Sequence, residues 1–205
     1  MNDRPDFRGL AEEPEPERYL QDLEPWVHEA ANPYLDWLFG DPERARAALE
    51  AWMVRPGSEI ALQRAVALFE DDTPVGGYVG LSGADLAQSM KSDAITALKV
   101  AGREGRATFL ERARELADLR RPVEADEWFL SKLGVLVPHR RGGRGRALLE
   151  EFLRRGAQQG FTRFRLDVWA RDEHTVRLYE SAGFRIIAES FSDPLDMRLL
   201  AMRLG

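Results

Sequence analysis

Read for its alternation of apolar and polar positions, the chain opens with helices, passes through a β-hairpin and a second helical stretch, and ends in a β-α-β-α-β-β run. Between Trp26 and Phe39, the apolar Trp26, Val27, Ala30, Tyr34, Leu35 and Leu38 follow an irregular helical spacing broken at Asn32-Pro33. Gly40-Asp41-Pro42 ends that stretch and starts another helix, with Asp41 as cap and Pro42 at the first helical position, running to about Met53. Residues 60–70 are apolar, stop at Asp71-Asp72-Thr73-Pro74, and resume from Val75 to Ser82, which reads as a β-hairpin. From 85 to 121 the period changes. Leu86, Met90, Ala94, Ala97 and Leu98 recur at helical spacing, as do Phe109, Ala113, Leu116 and Ala117. Gly102 and Gly105 separate the two runs, predicting a helical hairpin that Pro122 ends.

In the tail, Phe129 to Val137 reads as a strand and Gly143 to Gln159 as a helix closed by Gly160. Phe164 to Trp169 is a strand, and Asp172 to Ser181 a helix with Gly183 past its end. Arg185 to Phe191 and Asp196 to Leu204 are two last strands broken by Pro194. This order predicts a mixed α/β fold with a parallel pair around residues 133–169. Repeated Glu-Pro between Glu12 and Glu17 disfavours helix and offers no apolar face. Residues 1–20 are therefore expected to be a mobile lead-in, and 21–205 a single domain.

Composition narrows the class. With 205 residues and 44% hydrophobic content the chain can bury a full core. Its net charge of -6 opposes a nucleic-acid or anionic-membrane partner. There is no cysteine, which removes disulfides, thiolate metal sites and a cysteine nucleophile and fits a cytoplasmic protein. The N-terminus carries no apolar signal segment. The scattered His28, His139 and His174 do not have metal-ligand spacing. Charge is unevenly spread, however: residues 140–155 hold six arginines against two glutamates. A local positive site on an acidic chain points to a small anionic ligand.

That site has a recognisable form. The strand Leu133-Gly134-Val135-Leu136-Val137 stops at Pro138, and His139-Arg140-Arg141-Gly142-Gly143-Arg144-Gly145-Arg146 leads into a helix with Leu148, Leu149, Phe152, Leu153 and Ala157 on one face. A helix N-terminus presents unpaired N–H groups and partial positive charge, and glycines let a phosphate approach the backbone. The segment therefore reads as a pyrophosphate cradle. It lacks the Lys-Ser/Thr of a P-loop, and Leu148 stands where a Rossmann turn needs its third glycine. An RGG-type RNA segment would be repeated and disordered.

Arg140, Gly143 and Gly145 resemble the Arg/Gln-x-x-Gly-x-Gly/Ala signature of the GNAT acyltransferase superfamily. Downstream, Leu178-Tyr179-Glu180 and Gly183-Phe184 match that family, while Asp172 and Thr175 replace its usual Asn and Ala. The hairpin at 60–82 looks like its second and third strands. The resemblance implies the GNAT acyl-CoA N-acyltransferase fold: a mixed central sheet with splayed parallel strands flanked by helices, here with a helical insert at about 85–121. It implies acetyl-CoA as cosubstrate, lying between residues 133–137 and 164–169, and no metal. Cofactor contacts are expected from Val135, Leu136, Val137, Arg140, Arg141, Gly142, Gly143, Arg144, Gly145, Arg146, Asp172 and Thr175. The reaction would be direct attack of a primary amine, small or protein-borne, on the thioester. Asp167 stands where ribosomal-protein alanine N-acetyltransferases carry a glutamate and is the expected base, with Glu127 and Asp126 as rivals. Tyr179 would protonate the departing thiolate. Trp26, Tyr34 and Trp37 fall where the family lines its acceptor site. The insert is read as either a lid or a homodimer face. A non-catalytic acyl-CoA-binding module is the competing reading.

Overall fold

The computed structural model describes residues 5–205. Its strands are β1 (Asp6–Gly9), β2 (Ala65–Glu70), β3 (Thr73–Ser82), β4 (Glu127–Val135), β5 (Arg163–Trp169), β6 (Arg185–Ser192) and β7 (Met197–Leu204). Its helices are α1 (Leu20–Ala31), α2 (Tyr34–Phe39), α3 (Pro42–Met53), α4 (Gly83–Glu115), α5 (Arg144–Gln158) and α6 (Glu173–Ser181). The strands form a sheet in the order β1-β2-β3-β4-β5-β7-β6, in which only β4 and β5 run parallel. None of the described helices is long and apolar enough to cross a membrane.

Alternation along the strands assigns the two faces. Ala65, Ala67, Phe69 and Val79 point to a layer built by α1, α2, α3 and α4, with Trp26, Leu35, Leu49 and Phe109 in its core. Val66, Leu68, Tyr78, Leu130, Phe164 and Leu166 point the other way, to Leu148, Leu149 and Phe152 of α5 and to Tyr179 and Phe184. The apolar stripe read in residues 148–157 is the face that α5 buries.

Several expectations hold in detail. Asp41 caps α3, its Oδ1 accepting from Glu43 N at 2.9 Å and from Arg44 N at 3.4 Å. The first helical stretch divides into α1 and α2 at Asn32-Pro33. Other elements differ. From Asp6 on, the stretch read as a mobile lead-in carries β1, which pairs with Val66–Phe69 of β2, and Leu10 is fully buried. Residues 1–4 lie outside the described residues. The apolar run 60–70 begins with a 3-10 turn at Leu62–Arg64, so β2 starts later than its hydrophobicity suggests. The insert is two helical runs, as expected, but no loop separates them: they meet at a single non-helical residue, Gly102 (φ 66°, ψ -171°), and Gly105 lies inside the second run. β4 stops at Val135, and Val137–His139 forms a 3-10 turn that begins the glycine loop.

Candidate active site

The feature that organises the site is the parting of β4 and β5. They pair from Glu127–Leu130 to Arg163–Leu166 and no further. Beyond Leu130, β4 stays on β3, with Lys132 opposite Val79 and Val135 opposite Gly76, while β5 stays on β7, with Asp167 opposite Ala201. A bulge causes the change of course. Gly80 faces Leu130 and Val79 faces Lys132, so Ser131 is the extra residue. Gly134 allows the rest of β4 to lie against the first layer, because a Cβ there would come within 2.9 Å of the Trp26 ring.

Leu136 N–H donates to Val75 O at 2.9 Å. By strand alternation, the N–H and C=O of Val135 then turn toward the gap that β5 leaves. The Val135 carbonyl accepts from Arg140 Nε at 2.8 Å. The gap thus has one wall of strand backbone that no neighbouring strand pairs.

At its upper end lies the glycine loop. Gly143 caps α5 with φ +76° and no side-chain hydrogen bond, and Arg141 also has positive φ, 68°. The first helical bond is Ala147 N–H to Gly143 O, so the amides of Arg144, Gly145 and Arg146 have no intrahelical acceptor. The loop is braced from below. Glu70 accepts from Arg144 Nε at 2.5 Å and lies 3.2 Å from His139 Nδ1. The Arg144 hydrogen bond, with a smaller contribution from His139, lowers the Glu70 carboxyl below the usual carboxylate range. Arg140 pairs with Glu29, and Arg146 donates to Ser181 Oγ at 2.9 Å. The loop therefore keeps a positive surplus, and the arginines that look alike in the sequence divide into two braced by acids and two, Arg141 and Arg146, that are not. Uncapped amides, two positive-φ residues and surplus positive charge fit a pyrophosphate.

α6 flanks this loop, Leu178 lying against Gly145. Tyr179 is buried, its ring 6.0 Å from that of Phe184. Burial, with Asp172 adding to it, raises the phenol well above its ordinary value, so it stays protonated. Asp172 caps α6 by accepting from Thr175 N at 3.2 Å, the job for which Asn and Asp are about equally suited.

The lower end of the gap carries a cluster of charges. Asp167 sits one residue beyond the last β4–β5 pair, with Arg165 Nη1 2.6 Å from Oδ1 and Arg120 Nε 3.3 Å from Oδ2. Across from it, Glu59 accepts from the Ser131 hydroxyl at 2.5 Å and from Arg120 Nη1 at 3.3 Å, with Lys132 Nζ at 3.8 Å. Burial alone would raise the Glu59 carboxyl. Arg120, Lys132 and Ser131 outweigh burial and hold it at about 2. Burial pushes the Lys132 ammonium down, partly offset by Glu59. Glu59 is itself positioned by the insert, since its backbone N–H donates to Asp93 Oδ2 at 2.9 Å.

The remaining expected residues scatter. Glu127 is fully buried at the paired end of β4, held by Arg203 Nε at 2.6 Å, and Asp126 is a surface partner of Arg163. Neither reaches the gap. Trp26 is core, and Trp37 packs under the guanidinium of Arg112, its ring centroid 5.1 Å away. Tyr34 alone of the three aromatics is at the cluster. The sequence reading missed Glu59, Arg120, Ser131 and Lys132. Ser131-Lys132 left a signal, two polar residues inside an apolar strand, which is how the bulge shows itself. Glu59 and Arg120 left none, because they arrive from loops.

A parallel pair that opens onto an uncapped, glycine-rich helix start is a geometry suited to a phosphate-bearing cofactor. The sequence profile of the Acetyltransferase (GNAT) family matches residues 10–184, and the chain belongs to that family. Solved structures agree on the fold. An N-acetyltransferase from Staphylococcus aureus Mu50 superposes with a TM-score of 0.72 at 14% identity, over 97% of this chain and 100% of that one. Ard1 from Thermoplasma volcanium gives 0.56 at 16% identity, over 98% and 96%. A ribosomal-protein-alanine N-acetyltransferase from Brucella melitensis gives 0.53 at 17% identity, over 92% and 94%. No curated protein matches the chain.

Proposed function

We propose that the chain transfers an acetyl group from acetyl-CoA to a primary amine by direct attack in a ternary complex. The observation that carries this reading is the gap between β4 and β5, with the Val135 backbone along one wall and the free amides of Arg144, Gly145 and Arg146 at its end. Pyrophosphate would rest on those amides, and pantetheine would run along Val135 to Val137 as an added strand partner, taking the carbonyl that Arg140 now holds. The thioester then falls near Ser131, where the strands part.

The chemistry needs three events. A neutral amine nitrogen adds to the thioester carbonyl carbon, the C–S bond breaks, and the thiolate takes a proton. The acceptor must first lose its own proton, since an alkylammonium has a pKa of about 10.4. Among the carboxylates expected from the sequence, Asp167 is the one at the gap, and it would take that proton directly or through water. Tyr179, kept protonated by burial, would supply the thiolate.

Thiol release from acetyl-CoA in the presence of an amine panel, with calorimetry of acetyl-CoA alone, tests the reading. Binding together with amine-dependent release is expected. Binding without release for any amine would leave the non-catalytic module, and absence of binding would remove the cradle assignment altogether.

A further inference from the structure

The charges at the lower end of the gap do not balance. Glu59 and Asp167 are the anions, while Arg120, Lys132 and Arg165 are the cations, which leaves one positive charge over. The neighbouring Glu127, Asp126, Arg163 and Arg203 form a balanced network of their own and do not compensate. Each carboxylate also keeps a cation without Arg120: Glu59 has Lys132, and Asp167 has Arg165 at 2.6 Å. Arg120 is therefore the supernumerary charge. It bridges the two walls, its guanidinium carbon 5.3 Å from the centroid of the Phe129 ring, yet its side chain remains 41% exposed. Among the described residues, its Nη2 donates to nothing.

Tyr34 stands beside it at the rim, 36% exposed. Burial raises its phenol, the charges of Arg120 and Glu59 acting on it as well, so the hydroxyl is a neutral donor. Among the described residues, that hydroxyl has no hydrogen-bond partner. A guanidinium with Nη2 unused and a phenol with a free O–H, at a cluster with a surplus positive charge, offer one donor to each oxygen of a planar anion. Surplus positive charge also disfavours an ammonium nearby, which assists loss of the acceptor's proton.

We propose that the acceptor is an amine carrying a carboxylate, of the amino-acid type, whose carboxylate is clamped by Arg120 and Tyr34 while its amine faces the thioester. Arg120, contributed by the segment that follows α4, is then the residue that sets acceptor specificity. The proposal rests on the acetyl-transfer reading and deepens it.

The test compares α-amino acids with their amides and with the matching decarboxylated amines. On the full-length protein, kcat/KM is expected to be at least about tenfold higher for the acid than for its amide, mostly through KM. Arg120→Gln should cut that acid-to-amide ratio about tenfold, and Tyr34→Phe about threefold. Arg120→Lys, which keeps the charge and loses the fork, should fall between, and thermal melting monitors the fold of each variant. Calorimetry of the same acids on the CoA-loaded protein reads the clamp without turnover. Amides or plain amines turned over as well as acids, or a ratio unmoved in Arg120→Gln, would overturn the clamp while leaving acetyl transfer standing. Failure to bind acetyl-CoA would overturn the underlying reading instead. If no amine turns over, acid binding at least about tenfold tighter to wild type than to Arg120→Gln supports the clamp, and equal binding overturns it.

Discussion

The two ends of the gap between β4 and β5 are built on opposite plans. The upper end, from Val135 to Arg146, is one continuous stretch of chain, its binding groups are mainly backbone amides, and its positive-φ glycine is visible in the sequence. The lower end gathers Tyr34, Glu59, Arg120, Lys132 and Asp167 from five segments, and its binding groups are side chains that hold one another. Backbone amides recognise a phosphate whatever the neighbouring side chains are, so a cradle of this kind tolerates variation. A cluster of mutually dependent charges does not. Removing Glu59, for one, strands Lys132 in a poorly solvated place. On the proposed reading, the upper end would serve the shared cofactor and the lower end the particular acceptor.

Three substitutions separate these plans. The largest effect is expected from Gly143→Val. A β-branched residue at φ +76° is strained by roughly 1–2 kcal/mol and intrudes on the cradle, so acetyl-CoA affinity should drop about 100-fold by calorimetry. Unchanged affinity would mean the amides are not the receptor. Glu59→Gln should leave cofactor binding alone and cost about 2 kcal/mol of stability at pH 7 in urea unfolding. The sign follows from its depressed carboxyl. The ionised form stabilises the fold fully above the unfolded value near 4.5, and that contribution is lost as pH falls toward about 2. Wild type and variant should therefore converge between about pH 5 and about pH 2, and a constant gap would count against the assignment. The smallest effect belongs to Tyr179→Phe, about tenfold in turnover with cofactor affinity intact. A thiol of pKa near 8.5 leaves with modest help, which keeps the loss below the usual range for a catalytic acid.

The contrast also accounts for what was legible in the sequence. Local rules reached the cradle, the Asp41 cap, the β2–β3 hairpin and the α5 stripe, because each depends on residues a few positions apart. They missed β1, whose four residues carry no hydrophobic alternation and are ordered only by pairing with β2. They found the two helical runs of the insert but spread the break over Gly102 and Gly105, where Gly102 alone suffices. Three carboxylates competed as base because spacing cannot say which end of a strand faces the gap. Only the register shows Glu127 at the paired end and Asp167 at the open one. Glu59 and Arg120 come from loops without periodicity, and nothing short of the folded chain joins them.

The insert has a last consequence for anyone who would transplant it. Its first half holds the loop before β2 through Asp93, which pairs with Arg55 and caps the Glu59 amide, and the segment after it returns Arg120 to the same glutamate. Residues 54–61 and 83–122 are thus coupled as one structural unit. A chimera that exchanges the helix without the loop, or alters its length between Asp93 and Arg120, would carry a cofactor site with a mis-set acceptor site. Diversification of this branch of the family would then show paired changes in two stretches of chain that are separated in sequence by an intact hairpin.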